Sequence, residues 1–190
     1  MAGVGVWMIL VGQEPRAEVR IGKTSVMQSS EQTGAQTAPL PQITQVIQSE
    51  HAFVKRTVDG DTLDVIIAGT EEKVRLIGIN SPESVAPRRP VECFGKEASH
   101  QMDLLATGHQ VTMAGDALDA NRDKYGRLLR YIYLEDGTFV NSWMVEKGFA
   151  FAYTSFPFQY SKKFVALELQ ARAAQLGLWN SAVCPYDSTK

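Results

Sequence analysis

The chain has 190 residues, 44% hydrophobic and 21% charged, which suits one compact domain with extra segments rather than several domains. Eight prolines and 15 glycines exclude a collagen-like or wholly disordered chain, and no run of 18 apolar residues offers a full membrane span. The formal charge of −2 argues against a protein that coats nucleic acid by bulk charge, and leaves room only for a local basic site.

Residues 1–23 open with an apolar stretch from Ala2 to Gly12 whose length suits the core of a signal peptide, yet no Lys or Arg precedes it and no small-x-small cleavage site follows. Three readings stay open: a signal or anchor whose basic start lies upstream of Met1, a weak signal as it stands, or a disordered or locally packed tail. Residues 24–50 are rich in Gln, Ser, Thr and Pro and read as a linker, because they hold too little apolar surface to offset their chain entropy. An apolar start, a polar linker and then a domain over 51–184, with a short tail at 185–190, is the order of an exported or envelope-tethered protein. The alternative is a cytoplasmic one.

The domain opens with three β-rich runs. His51 to Val58 alternates loosely, Thr62 to Ala68 ends at a turn on Gly69, and Lys73 to Ile79 alternates as a strand leaving a closed sheet would. Residues 81–92 carry Pro82, Pro87 and Pro90 and form a loop. Phe94 to Thr107 places Ala98, Met102 and Leu105 at helical spacing, with Gly108 at the C-terminal end. Gln110 to Ala114 and Leu128 to Leu134 are two more strands, and Asp136-Gly137 is a hairpin turn leading to Thr138–Val140. A short helix runs from Val140 to Lys147. A longer one is capped by Ser161, buries Phe164, Leu167, Ala171 and Ala174 on one face, and stops at Gly177. This order predicts an α+β fold: a five-stranded OB-fold barrel with three helices around it.

Three clusters carry the chemistry: Val58–Thr62 (VDGDT), Arg75–Glu83 (RLIGINSPE) and Asp123–Arg127 (DKYGR). Singly, each is an ordinary turn or strand. Together they bring acids, neutral oxygen ligands and two arginines to the ends of strands that a barrel can gather. Hard oxygen ligands suit Ca²⁺ or Mg²⁺. Two arginines grip a phosphate through paired N–H donors, and a carboxylate beside them can orient or deprotonate a water. These are the parts needed to hydrolyse a phosphodiester.

Residues 51 to about 180 resemble the staphylococcal nuclease family. The blocks VKRTVDGDT, VRLIGINSPE, CFGKEAS, DKYGRLLRYIY, FVNSWMVEKGFA and GLW occur in its order, and their joint occurrence is far more specific than any one of them. The resemblance implies a Ca²⁺-dependent hydrolase of DNA, RNA or both that leaves 3′-phosphate ends. It implies that Asp61 binds calcium, that Arg75 and Arg127 bind the phosphate, and that Glu83 positions or activates the attacking water. Ser81 falls where the family offers a backbone carbonyl to the metal. Asn80 falls where a second calcium-binding aspartate is usual; its amide oxygen can still ligate but brings no charge, which implies weaker calcium binding. Lys124 and Tyr125 match positions that contact a terminal phosphate, and Tyr153 a base-stacking position, with core packing as its alternative. A nucleic acid is the only partner implied, on a monomer. The rival function is a binding module of the same fold that has lost catalysis, but Asp61, Arg75, Glu83 and Arg127 are all retained.

Arg88 and Arg89 either track a nucleic-acid backbone or are solvated loop charges. His51, His100 and His109 show no zinc spacing and read as surface residues. Trp143 and Trp179 read as helix-packing residues. Cys93 and Cys184 flank the helical elements; with an exported leader they pair as a disulfide, and in a cytosolic protein they stay as separate thiols.

Overall fold

A computed structural model describes residues 49–84 and 90–185. The leader, the polar segment up to 48, Arg88, Arg89 and residues 186–190 lie outside the described residues. Strands β1 (Ser49–Asp59), β2 (Thr62–Ile67) and β3 (Thr70–Leu76) form a meander, and β4 (Ile79–Asn80) follows at once. Helix α1 (Gly95–Ala106) leads to β5 (Gln110–Ala114) and β6 (Leu128–Leu134). Helix α2 (Val140–Glu146), β7 (Phe151–Ala152), α3 (Ser161–Ala173) and a 3₁₀ turn (Gly177–Trp179) complete the chain. The barrel closes in the order β1-β2-β3-β6-β5, with β3 and β6 parallel and the other pairs antiparallel. This is the expected five-stranded barrel with three helices.

Local chemistry sets the meander. Ala68 and Gly69 both take positive φ, the geometry a two-residue hairpin needs to match the twist of its strands. The barrel interior is filled by alternate residues: Val54 from β1, Leu63 and Val65 from β2, Val74 and Leu76 from β3, Met113 from β5 and Ile132 from β6, all essentially fully buried. Helix α1 presents Ala98, Met102 and Ala106 to this core, and α2 presents Val140, Met144 and Val145.

The structure moves several expected boundaries. Strand β1 begins at Ser49, because Ser49 and Glu50 pair with Ala114 and Met113; their polar side chains made them look like linker. Strand β3 ends at Leu76 rather than Ile79. Gly78, at φ 75°, turns the chain out of the barrel, and the Phe158 ring lies so close that a Cβ there would be 2.5 Å from it. Ile79 and Asn80 then pair with Ala152 and Phe151. Thr138–Val140 makes a single bridge, Tyr133 to Phe139, before α2 starts. Ser161 does not cap α3: it is the first helical residue, Tyr160 precedes it, and no side chain caps the helix. Ala174 lies past the helix end and is exposed.

Where β3 parts from β6, buried backbone groups lose their sheet partners. Asn141 supplies them: its Nδ2 donates to the Ile77 carbonyl at 2.9 Å and its Oδ1 accepts the Ile132 N–H at 2.9 Å. A fully buried asparagine is therefore what lets β4 leave the barrel without orphaned polar groups.

Cys93 and Cys184 are bonded, with Cα atoms 5.8 Å apart and 91 positions apart in sequence. Closing a loop of that length constrains the unfolded chain by about 4–5 kcal/mol in the chain-entropy model. Replacing both cysteines with serine is expected to lower unfolding free energy by about 2–5 kcal/mol, read from urea denaturation. A loss below about 1 kcal/mol would mean that the unfolded chain is not appreciably constrained by the bond.

Candidate active site

The turn between β1 and β2 places the first acid. Asp59 Oδ1 accepts the Asp61 N–H at 3.1 Å, closing an Asx turn that swings the Asp61 carboxylate inward. The β2–β3 register sets Thr62 opposite Arg75, so the acid and the arginine meet at one end of the barrel. Asp61 is buried, with Oδ1 accepting the Thr62 hydroxyl at 2.9 Å. Its Oδ2 accepts the Ser81 backbone N–H at 2.8 Å and lies 3.1 Å from Arg75 Nη2.

Arg75 is gripped from the other side by the chain that has just left the barrel. Nη1 donates to the Leu76 and Ile79 carbonyls at 3.1 and 2.8 Å, and Nη2 donates to Asn80 Oδ1 at 3.1 Å. Asp61, Arg75, Asn80 and Ser81 thus form one hydrogen-bonded cluster. Gly60 is required beneath it, since a Cβ there would lie 2.7 Å from the Ser81 Cβ.

A second cluster precedes β6. Asp123 Oδ1 accepts the backbone N–H groups of Tyr125 and Arg127 at 2.9 and 3.0 Å, and Oδ2 accepts Arg127 Nε at 2.6 Å. Burial pushes the Asp123 carboxyl up, but the Arg127 hydrogen bond and those two N–H groups outweigh it and the net shift is downward. Lys124 Nζ lies 5.0 Å above the Tyr125 ring, and Arg127 Cζ 5.5 Å from the same ring, which is itself largely exposed. The parallel β3–β6 register pairs Arg75 with Leu129, two residues after Arg127, so Arg127 enters β6 close to the point where Arg75 stands on β3.

Glu83 follows Ser81 by two residues and is half-buried in irregular chain. Tyr153 directly follows β7, which pairs with β4, and its N–H donates to the Gly78 carbonyl at 2.8 Å. Its ring is partly exposed and tilts against the exposed Phe156 at 6.1 Å. Cys93 and Cys184 are bonded to each other, outside both clusters. The three histidines are exposed, Trp179 is buried, and Trp143 stacks on Phe149. Two acids whose roles the motifs alone did not assign emerge as supports: Asp59, which orients Asp61, and Asp123, which orients Arg127. The signal for Asp123 was its four-residue spacing to Arg127 in DKYGR.

The Asp59 and Asp61 carboxylates lie side by side, and the Asn80 amide oxygen shares Arg75 Nη2 with Asp61. Burial pushes Asp59 up, and the neighbouring Asp61 charge pushes it further, to about 6. Two carboxylates held this close favour a cation between them, and hard oxygen donors fit a divalent ion such as Ca²⁺. Among the described residues no group of three or more His, Cys, Asp and Glu side chains is placed to hold a metal ion, so a cation here would also need the Asn80 amide and backbone oxygens.

The raised Asp59 value has a consequence for the metal-free protein. The folded state binds this proton more tightly than the unfolded chain does. Its stabilising contribution is therefore complete below about pH 4 and is lost as pH rises through about 6. Denaturation midpoints in EDTA are expected to fall across that window, and Asp59→Asn is expected to flatten the fall. An unchanged slope in the variant would assign the effect to another group.

Residues 73–181 match the model of the family described as staphylococcal nuclease homologue. The chain is 36% identical over 134 residues to a thermonuclease of Staphylococcus intermedius, covering 70% of this chain and 78% of that one. It is 34% identical over 129 residues to endonuclease YncB of Bacillus subtilis, covering 67% of this chain and 60% of that one. An uncharacterized endonuclease of Escherichia coli O157:H7 is 34% identical over 134 residues, covering 70% and 78%. The barrel order, the family match over most of the described domain and these relatives agree: this chain belongs to the staphylococcal nuclease homologue family.

Proposed function

We propose that the protein is a Ca²⁺-dependent nuclease that hydrolyses phosphodiester bonds of DNA or RNA and leaves 3′-phosphate ends. The observation that carries this reading is the cluster at Asp61. A buried carboxylate is shared by Arg75 and the Ser81 N–H, and Arg127 immediately precedes the strand that pairs with the one carrying Arg75. Asp61, Asn80 and the Ser81 carbonyl would hold the cation, with Asp59 adding charge behind them. When bound, Ca²⁺ supplies positive charge against a phosphate oxygen, which favours attack at phosphorus.

The chain's own residues do the rest. Arg75 and Arg127 meet the charge that builds on the phosphate as the bond to the incoming oxygen forms. Arg127 stays protonated throughout, since an arginine pKa above about 12 makes it a poor proton donor at neutral pH. Glu83 takes a proton from the attacking water, and the leaving 5′ oxygen acquires one from solvent. Lys124 and Tyr125, on the exposed turn before Arg127, receive the neighbouring phosphate, and the Tyr153 ring offers a surface for a base. The bonded cysteines favour an oxidising compartment, in line with an exported or envelope-tethered protein.

The test is cleavage of single-stranded DNA by the purified chain in Ca²⁺ and in EGTA. Cleavage is expected only with Ca²⁺, and the products are expected to resist polymerase extension until a phosphatase removes their 3′ ends. Activity unaffected by EGTA would overturn the metal assignment. Products that extend without phosphatase would overturn the assignment of the scissile bond.

A further inference from the structure

Glu83 has no strand or helix of its own to fix it. Two hydrogen bonds tie its backbone to one residue, Glu92. The Glu92 N–H donates to the Glu83 carbonyl at 2.8 Å, and Glu92 Oε2 accepts the Glu83 N–H at 3.1 Å. These two bonds form a closed ring between residues nine apart in sequence. The same Glu83 carbonyl lies against Gly95, where a Cβ would be 2.3 Å from its oxygen.

Residues 92–95 are themselves a tight turn into α1. The Gly95 N–H donates to the Glu92 carbonyl at 3.0 Å, and Phe94 takes φ 68°. Cys93 stands inside that turn, between the two residues that touch Glu83, and is bonded to Cys184. Cys184 is held in turn: its N–H donates to the Asn180 carbonyl at 2.8 Å, just past the buried Trp179. The backbone of Glu83 is thus referenced, through a covalent bond, to the segment that follows α3.

We propose that Glu92 is a positioning residue for Glu83, and that the Cys93–Cys184 bond holds Glu92 in place, so that turnover depends on this pair being oxidised. The inference rests on the nuclease reading above, in which Glu83 acts on the attacking water. A dithiol reductant passes two electrons and two protons to the S–S bond. It leaves Cys93 and Cys184 as thiols and itself becomes a disulfide. The turn at 92–95 then loses its covalent tether, and Glu83 loses its fixed register. Small displacements of a reacting group cost turnover steeply. Asp61, Arg75 and Arg127 are built on other elements and keep the phosphate, so kcat falls and KM does not move.

The experiment measures kcat and KM on DNA in Ca²⁺ with the full chain. Glu92→Ala is expected to lower kcat by about tenfold with KM within about twofold. Glu92→Gln keeps an acceptor oxygen for the Glu83 N–H and is expected to recover turnover to within about threefold of the natural chain. Reduction with a dithiol, below the unfolding midpoint and with the circular dichroism unchanged, is expected to reproduce the fall in kcat, and reoxidation to reverse it. In the Glu83→Gln background, Glu92→Ala is expected to cost nothing further, because a positioning residue acts only through the group it positions. Equal losses in both backgrounds, a change carried by KM, no loss in Glu92→Ala, or no sensitivity to reduction would each overturn the proposal. Should Glu83→Gln turn over as fast as the natural chain, the role of Glu83 itself is overturned, a result distinct from all of these.

Discussion

Glu83→Gln is expected to lower turnover by about 10²- to 10⁴-fold while leaving KM for DNA and the unfolding midpoint nearly unchanged. The substitution keeps the length and shape of the side chain and removes its charge and its capacity to take a proton. Two bonds to residue 83, from the Glu92 N–H and to the Glu92 carboxylate, involve its backbone and survive the change. The loss therefore reports on chemistry rather than on folding. Steady-state rates on single-stranded DNA, with thermal unfolding alongside, make the measurement. Two results would sink the assignment. A fall under about threefold would mean that another group handles the water. A natural chain that binds DNA but does not cleave it, at any concentration of Ca²⁺, Mg²⁺ or Mn²⁺, would favour the binding module and point to Asn80, where the charge of a second ligand acid is missing.

Much of this architecture was legible because the barrel strands obey simple rules. β2, β5 and β6 are β-branched or aromatic runs bounded by turn residues, and α1 and α2 fall within a residue or two of their expected limits. What could not be read depends on distant partners. β4 and β7 are two residues each, too short for any alternation, and exist only because they pair with each other. Ser49 and Glu50 look like linker until β5 lies beside them, and Glu50 then pairs with Arg130 across the sequence. Ser161 has the chemistry of a cap, but the chain reaches α3 one residue early.

The site divides in the same way. Its motif residues were visible as blocks, because the blocks occur together and in order, which is far more specific than any one of them. Their mutual support was not. Nothing in VDGDT states that Asp59 orients Asp61 through its backbone, and nothing in GINSPE states that Asn80 holds Arg75. The Asn80 contact bears on its departure from the family pattern. An amide oxygen accepts the Arg75 hydrogen bond as a carboxylate would, without adding a second charge beside Asp61. Asparagine here exchanges some attraction for the cation for less repulsion between the site's own acids.

Arg75→Lys is expected to lower kcat/KM by about 10²- to 10³-fold, although it conserves the charge. The arginine serves four protein acceptors at once: the Leu76 and Ile79 carbonyls, Asn80 Oδ1 and the Asp61 carboxylate. Those bonds fix the plane of the guanidinium, so its orientation toward a phosphate is set before substrate arrives. A lysine ammonium is one point on a flexible stem and cannot reach acceptors on both sides. It would stay with Asp61, the nearest negative charge, and leave the β3–β4 turn without its donors. Stability should fall as well, by about 1–3 kcal/mol, because the Ile79 carbonyl and its neighbours lose partners in a site with little water. The two readouts separate the causes. Calcium affinity, measured by titration of the variant, should change by less than about threefold, since Asp61 keeps a cationic neighbour. A large loss of activity with calcium binding intact would place the effect of Arg75 on the phosphate. A matching loss of calcium binding would place it on the geometry of Asp61 instead, and would overturn the role assigned here.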